Sequence, residues 1–170
     1  KDSSDVTRKI GHFVSSVNTL IGNFSSCTNL LTLRRLFTAY CCSFYGSQLW
    51  RIDSRDEKRV CISWNKAVRR LLRLPSRSHT WLLGPLLDQP HLRSQLHLRS
   101  WRFVTSLARS ENTLVRAVSS VAMRDASSPL GNNVARLREL YDLHPGSDHS
   151  ASDARRVIAA DDAVERNSEC

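Results

Sequence analysis

Glycine and proline are scarce in this chain of 170 residues, which contains six of the former and five of the latter. These residues most often end helices and form turns. Apolar residues instead recur every three or four positions, and no stretch alternates apolar and polar residues as a half-buried strand does. The pattern predicts an all-α fold, a helical bundle of about five to seven helices with a loose C-terminal tail.

Long apolar runs are also missing. None is long enough to span a bilayer, so we expect no membrane partner. The chain opens with Lys1 and has no charged-then-apolar leader of a secretory signal, and we expect it to be a fragment of something longer. Its five cysteines lack paired spacing, which predicts reduced thiols that mostly fill the core. The expected location is intracellular, in the nucleus or the cytoplasm.

Motifs for catalysis and metal binding are absent from the sequence too. It contains no C-x-x-C or H-x-x-x-H spacing for zinc, no G-x-S-x-G nucleophile elbow and no glycine-rich phosphate loop. Asp161 and Asp162 are adjacent, as are the magnesium ligands of polymerases. Their polar, alanine-rich surroundings nevertheless predict a solvated helix surface. We therefore predict no catalytic and no metal-binding residue in this chain.

Positive charge is abundant and unevenly distributed. The chain carries a net charge of +9, with 18 lysines and arginines against 6 aspartates and glutamates up to Ser110, and 7 against 10 from Glu111 onward. Lysine and arginine placed against phosphates release condensed counterions, which favours a polyanion as partner. A basic surface without a specific ligand explains the composition equally well.

The segment from Arg55 to Arg77 is the most basic part of the chain. Val60, Trp64 and Val68 form part of an apolar helical stripe that ends before Pro75. Basic residues at three- and four-residue intervals form a second stripe beside it. We predict that this stripe contacts phosphates, although charged residues on a helix are often only solvated. Its members are Lys66, Arg69, Arg70, Arg73 and Arg77.

An aromatic and cysteine-rich segment precedes that helix. The spacing predicts a helix from about Thr28 or Asn29 that ends near Gly46. One side of this helix carries apolar residues, and we predict that this side is buried. The residues on it are Phe37, Tyr40, Cys41, Phe44 and Tyr45.

Three stretches occur in a specific order: LFTAYCCSFYGSQLW, then SWNKAVRRLLRLP, then SHTWLLGPLL. This order resembles the segment that follows the palm in reverse transcriptases of non-LTR retrotransposons, the LINE elements of the jockey-like and related clades. The resemblance covers about residues 6 to 107. The signature residues that match are Tyr40, Cys41, Tyr45, Gly46, Trp50, Trp64, Pro75 and His79, together with Phe37, Arg69, Arg70, Leu74, Leu82 and Leu83.

The resemblance implies a helical thumb and its C-terminal connector, which hold the RNA/DNA template-primer duplex against the palm. We expect a thumb-like basic helical bundle (1–110), additional helices of connector type (111–143) and a polar, flexible tail (144–170), which departs from the family. Palm and fingers would be partners, and magnesium would bind only in that palm. We expect no polymerisation by this chain alone. The alternative is a domesticated or decayed helical remnant that serves as a protein-interaction module without a nucleic-acid role.

Overall fold

The structure, a computed structural model, describes residues 2–25, 29–143 and 150–167, and within these ranges it contains helices and no strand. The predicted all-α fold is confirmed. Eight α-helices lie in the described ranges, one more than the upper end of the prediction. They are α1 (Asp2–Asn23), α2 (Leu30–Leu36), α3 (Arg55–Leu71), α4 (Leu83–Leu87), α5 (Leu92–Ala108), α6 (Thr113–Arg124), α7 (Pro129–Tyr141) and α8 (Ser150–Asn167).

The chain divides into two compact units. The first consists of Lys1–Tyr45 and Arg55–Gln89, and the second of Gly46–Ser54 and Pro90–Cys170. This division differs from the predicted segments 1–110 and 111–143, because α5 packs against α6, α7 and α8. The charge follows the units: the first has 13 lysines and arginines against 5 aspartates and glutamates, a net +8, and the second has 12 against 11, a net +1.

Aromatic side chains form the centre of the first unit, in which α1 packs on α3. The Phe13 ring on α1 lies 6.1 Å from that of Phe37 and 5.4 Å from that of Phe44, and Phe37 lies 6.3 Å from Trp64 on α3. Tilted and edge-to-face contacts at these distances are favourable beyond the area they bury. Trp64 is therefore a core residue, as its apolar stripe predicts.

The predicted burial of Tyr40 and Tyr45 is wrong. Phe37, Cys41 and Phe44 are buried, but Tyr40 is 69% exposed and Tyr45 82% exposed. Asn29 caps α2 by accepting a hydrogen bond from the Thr32 N–H, yet this helix ends at Leu36 and continues as a π-helical turn, Phe37–Cys41. A π turn spaces its hydrogen bonds more widely than an α-helix, and residues 42 to 45 are not helical. The α-helical period therefore does not apply to either tyrosine.

A buried asparagine organises one side of the second unit. The Asn133 side chain on α7 donates to the Trp50 carbonyl at 2.8 Å and accepts from the Ile52 N–H at 3.0 Å. These two bonds hold the Gly46–Ser54 segment, in which Gly46 has a positive φ of 86°. The core beside it is formed by Ile52, Leu98, Trp101, Val104, Val134, Leu137, Tyr141, Leu143 and Val157.

The predicted loose tail, residues 144–170, is wrong over 150–167, where the structure has α8. Val157 is fully buried, and Asp153 and Asp161, one turn to either side, are buried with it. Asp153 accepts a hydrogen bond from Trp101 Nε1 at 3.1 Å. Helix α8 thus buries carboxylates that accept hydrogen bonds from other helices. Such residues do not contribute to an apolar period in the sequence. Residues 144–149 and 168–170 lie outside the described residues.

Candidate nucleic-acid interface

Helix α3 carries the candidate interface on the side opposite its core. Its buried side includes Val60, Trp64, Val68 and Leu71. Because α-helical residues three or four positions apart lie on the same side, the intervening residues form a continuous outer face. Ile62, which is 53% exposed, marks the middle of that face.

Lys66 and Arg70 lie one turn apart on this outer face, and both are exposed. They are separated by about 6 Å along the helix axis. Throughout the ranges that the structure describes, neither side chain has a hydrogen-bonding or ion-pair partner. The two cations are thus available to a ligand.

Arg69 has a different role from its neighbour Arg70. It is half-buried, and its Nε and one terminal nitrogen donate to the Ser78 carbonyl at 3.0 and 2.7 Å. The same terminal nitrogen donates to Thr80 Oγ1 at 2.9 Å. Its guanidinium therefore holds the loop that follows α3, and most of its hydrogen-bonding capacity is already used.

The predicted stripe does not continue through Arg73, because α3 ends at Leu71. The Leu74 N–H bonds to the Arg69 carbonyl and the Arg73 N–H to the Arg70 carbonyl, the two hydrogen bonds of a Schellman motif. Arg73 has a φ of 53°, at the position where glycine is usual. Its side chain donates to the Ser25 carbonyl at the end of α1.

Arg77 is exposed in the turn that the Ser78 N–H closes onto the Pro75 carbonyl. Pro75 and His79, two of the signature residues, are exposed on the same loop. Because Arg69 binds the Ser78 carbonyl, the position of Arg77 depends on Arg69. The structure thus groups the five predicted cations into two available on the helix, two that bind backbone, and one on the loop.

Two further cations on α3 extend the interface beyond the predicted site. Arg55 and Lys58 are exposed, and the described residues provide neither with a side-chain partner. Arg55 precedes Lys58 by three residues and Lys58 precedes Lys66 by eight, which places all of them on one side of a helix, so the sequence could have identified them. We call the four side chains Arg55, Lys58, Lys66 and Arg70 the α3 basic face; it spans about 22 Å along the axis.

The acidic residues of α3 do not neutralise this face. Asp56 forms an ion pair of 3.0 Å with Arg59, and Glu57 is buried. Both lie in the first turn, where a carboxylate interacts favourably with the helix dipole. The charge on the outer side of α3 is therefore predominantly positive, around the exposed Ile62.

The other signature residues support the fold of their units. Trp50 and Trp64 are buried, and Cys41 and Cys42 are buried thiols, as predicted. Burial raises the pKa of the Cys41 thiol to about 11, so this cysteine is protonated and unreactive near neutral pH. The exposed Tyr45 ring lies under the Lys9 ammonium, 6.0 Å from its centroid.

The predicted solvation of Asp161 is wrong. Asp161 is 2% exposed, accepts a hydrogen bond of 2.7 Å from the Tyr141 hydroxyl, and lies 3.8 Å from Arg93 Nε. In the described part of the chain, no three His, Cys, Asp or Glu side chains are grouped so that they could hold a metal ion. None of the helices described there is both long and apolar enough to cross a bilayer.

The chain was compared with models of protein families, with characterised proteins and with solved structures. None of the three comparisons finds a match. The resemblance to non-LTR reverse transcriptases therefore rests on the order of the sequence motifs, and the function has to be argued from the geometry of α3.

Proposed function

We propose that this chain is a nucleic-acid-holding module, the thumb region of an RNA-directed DNA polymerase of the non-LTR retrotransposon type. In this proposal the α3 basic face lies along the phosphate backbone of the RNA/DNA template-primer duplex. The observation that carries it is that four exposed cations share one side of α3 without a carboxylate to neutralise them. The net charge of +8 on the first unit supports the same partner.

Neighbouring cations have different roles in this proposal. Lys66 and Arg70 contact phosphates directly, with Arg55 and Lys58 further along the face. Arg69 and Arg73 hold the end of α3 and its loop in place, and Arg77 adds a contact from that loop. Catalysis belongs to a palm and fingers outside this chain, so the purified chain should not extend a primer.

The test is binding of the purified chain to a fluorescent RNA–DNA hybrid, followed by anisotropy as salt is raised. With the four contacts of the α3 basic face and a fifth from Arg77, the logarithm of the binding constant should fall by about 4.5 for each tenfold rise in salt. Replacing both Lys66 and Arg70 with glutamine should reduce that slope by about two fifths. A slope near zero would contradict the proposal.

A matched control separates the α3 basic face from net charge alone. Arg102 and Arg155 are exposed arginines of the second unit, on α5 and α8. The Arg102→Gln/Arg155→Gln double variant loses the same charge as the Lys66→Gln/Arg70→Gln double variant. We expect it to retain nearly all hybrid affinity; equal losses in the two variants would show that binding follows total charge and not this face.

A protein-interaction module is the second candidate, and α6 favours it. Leu114, Val118 and Val121 lie on one side of α6 and are 70, 61 and 68% exposed. Exposed apolar patches are often sites of protein association. Replacing Leu114 and Val118 with glutamine should leave hybrid binding unchanged under the first proposal. If the chain binds no hybrid but self-associates through this face, the second candidate is favoured.

A further inference from the structure

The second unit contains a cavity that the proposed nucleic-acid function does not use. Its volume of about 450 Å³ falls within the range of about 300–1,000 Å³ that is typical of small-molecule sites. The cavity is bounded by the end of α5, by α6 and its following turn, and by α7. Its lining residues are Ala108, Ser120, Met123, Arg124, Ala126, Gly131, Val134, Ala135 and Arg138.

The cavity exists because few side chains of α6 pack into its own unit. All twelve residues of α6 are described, and Ser119 alone among them is buried. The larger aliphatic side chains of this helix, such as Leu114 and Val118, face outward. Because so little of α6 is buried, space remains beneath the helix, next to the partly buried Met123.

One end of the cavity is held rigidly by contacts between α6 and α7. The Ser128 hydroxyl donates to the Ala122 carbonyl at 2.5 Å and accepts from the Gly131 N–H at 2.9 Å. A Cβ on Gly131 would lie 2.1 Å from the Asp125 carbonyl oxygen, so only glycine permits this approach. This end of the site is therefore formed before any ligand enters.

Two arginines contribute to the lining from opposite sides, Arg124 from α6 and Arg138 from α7. Both are exposed, and no carboxylate among the described residues pairs with either. Their acidic sequence neighbours are engaged elsewhere: Asp125 accepts from the Ser127 hydroxyl and N–H at 2.7 and 2.9 Å, and Glu139 pairs with Arg136 at 2.6 Å.

We infer that this cavity binds a small phosphate monoester whose organic part is apolar. Guanidinium groups bind phosphate through two parallel hydrogen bonds, which makes Arg124 and Arg138 suited to the head group. Met123, Val134 and Ala108 would surround the organic part. This inference does not depend on the α3 basic face, because all the residues involved belong to the second unit.

Three probes separate the contributions of head group and body. We expect hexyl phosphate to bind saturably in a calorimetric titration of the whole chain. Inorganic phosphate and hexanol should each bind at least about tenfold more weakly, since each lacks one half of the match. Adenosine monophosphate distinguishes a nucleotide source from a lipid-like one, and the aliphatic walls predict that it binds less well than hexyl phosphate.

Variants test the assignment of residues. Arg124→Gln/Arg138→Gln should lower the affinity for hexyl phosphate at least about tenfold, the loss expected for one or more charge-assisted hydrogen bonds. The Arg155→Gln control should not change it. Ala108→Leu, which fills the cavity without altering charge, should also weaken binding and guards against misfolding of the arginine variant.

Hydrogen exchange locates the ligand independently of mutation. Saturating hexyl phosphate should slow amide exchange in α6 and in the first turn of α7, because the ligand fills the gap between them. Absence of saturable binding, equal affinity in the arginine variant and the wild type, or protection confined to other helices would overturn the inference. None of these outcomes bears on binding of the RNA–DNA hybrid.

Discussion

The Tyr141 hydroxyl on α7 donates a hydrogen bond of 2.7 Å to Asp161 Oδ1 on α8. The Tyr141 hydroxyl oxygen also lies 2.5 Å from His97 Nδ1 on α5. A phenol has one proton to donate, so the contact with the histidine requires Nδ1–H as the donor. This chain of contacts connects three helices of the second unit through buried polar atoms.

Replacing Tyr141 with phenylalanine should therefore destabilise the chain markedly. The substitution keeps the ring but removes the donor to a buried carboxylate, which costs roughly 1.5–3 kcal/mol. Urea unfolding of the whole chain measures the free energy of unfolding. The control is Tyr45→Phe, since Tyr45 is exposed and its loss should change that free energy by less than about 0.5 kcal/mol. Equal effects at the two tyrosines would contradict the buried network.

Two valines of α8 test whether this helix is packed. Val157 is fully buried and Val164 is 50% exposed. Val157→Ala should lower the free energy of unfolding by roughly 2 kcal/mol, because it leaves a space in the core. Val164→Ala on the same helix should change it by less than about 0.5 kcal/mol. A tail without fixed packing would respond equally weakly to both substitutions.

Substitution of Arg69 should affect stability, whereas substitution of Arg70 should affect binding. Arg69→Gln removes the bonds to the Ser78 carbonyl and Thr80 Oγ1 and should lower the free energy of unfolding by about 1–3 kcal/mol. Arg70→Gln should leave stability nearly unchanged but weaken binding to the RNA–DNA hybrid. Parallel urea unfolding and anisotropy measurements on the two variants distinguish the roles. A stable Arg69→Gln variant would exclude its structural function.

The Cys41 thiol should make stability depend on alkaline pH. Its pKa is raised to about 11 by burial, so the thiol loses its proton at a lower pH in the unfolded chain than in the folded one. The stabilisation is complete below the ordinary thiol pKa and is lost as the pH rises toward 11. When urea unfolding is measured at pH 8 and at pH 10.5, the free energy of unfolding should fall less between the two for Cys41→Ser than for the wild type.

The rate of alkylation tests the burial and the raised pKa of Cys41 independently. Cys61 is half-buried, whereas Cys41 is buried, and only the thiolate reacts. Peptide mapping after iodoacetamide treatment at pH 8 should find Cys61 modified well before Cys41. Faster labelling of Cys41 would mean that its thiol is accessible and that the raised pKa is incorrect.

Helices were predictable from the sequence where their apolar stripe is regular. Val60, Trp64 and Val68 follow the helical period, and α3 buries all three. The α-helical period gave a wrong prediction of burial for Tyr40, because the π turn Phe37–Cys41 changes the spacing and no residue type indicates such a turn. The end of α3 was not predictable either, since Arg73 has the left-handed conformation at a position where glycine usually indicates the end of a helix.

The candidate site was predictable in its location but not in the roles of its members. Spacing alone brings Lys66 and Arg70 onto one side of α3. It cannot show that Arg69 turns back to the Ser78 carbonyl, because that acceptor becomes available only when the loop folds over the helix end. The cavity beside Arg124 and Arg138 was invisible for a related reason: three helices have to pack before a gap exists between them.

By itself, the sequence determined the helical class, the apolar stripe that includes Trp64 and the cationic side of α3. These follow from local periodicity, since the 3.6-residue repeat sorts apolar from charged side chains before any tertiary contact forms. Only the tertiary structure decided that Asp153 and Asp161 are buried. A carboxylate can leave water when distant donors reach it, and Trp101 and Tyr141 come within reach only after the helices have packed.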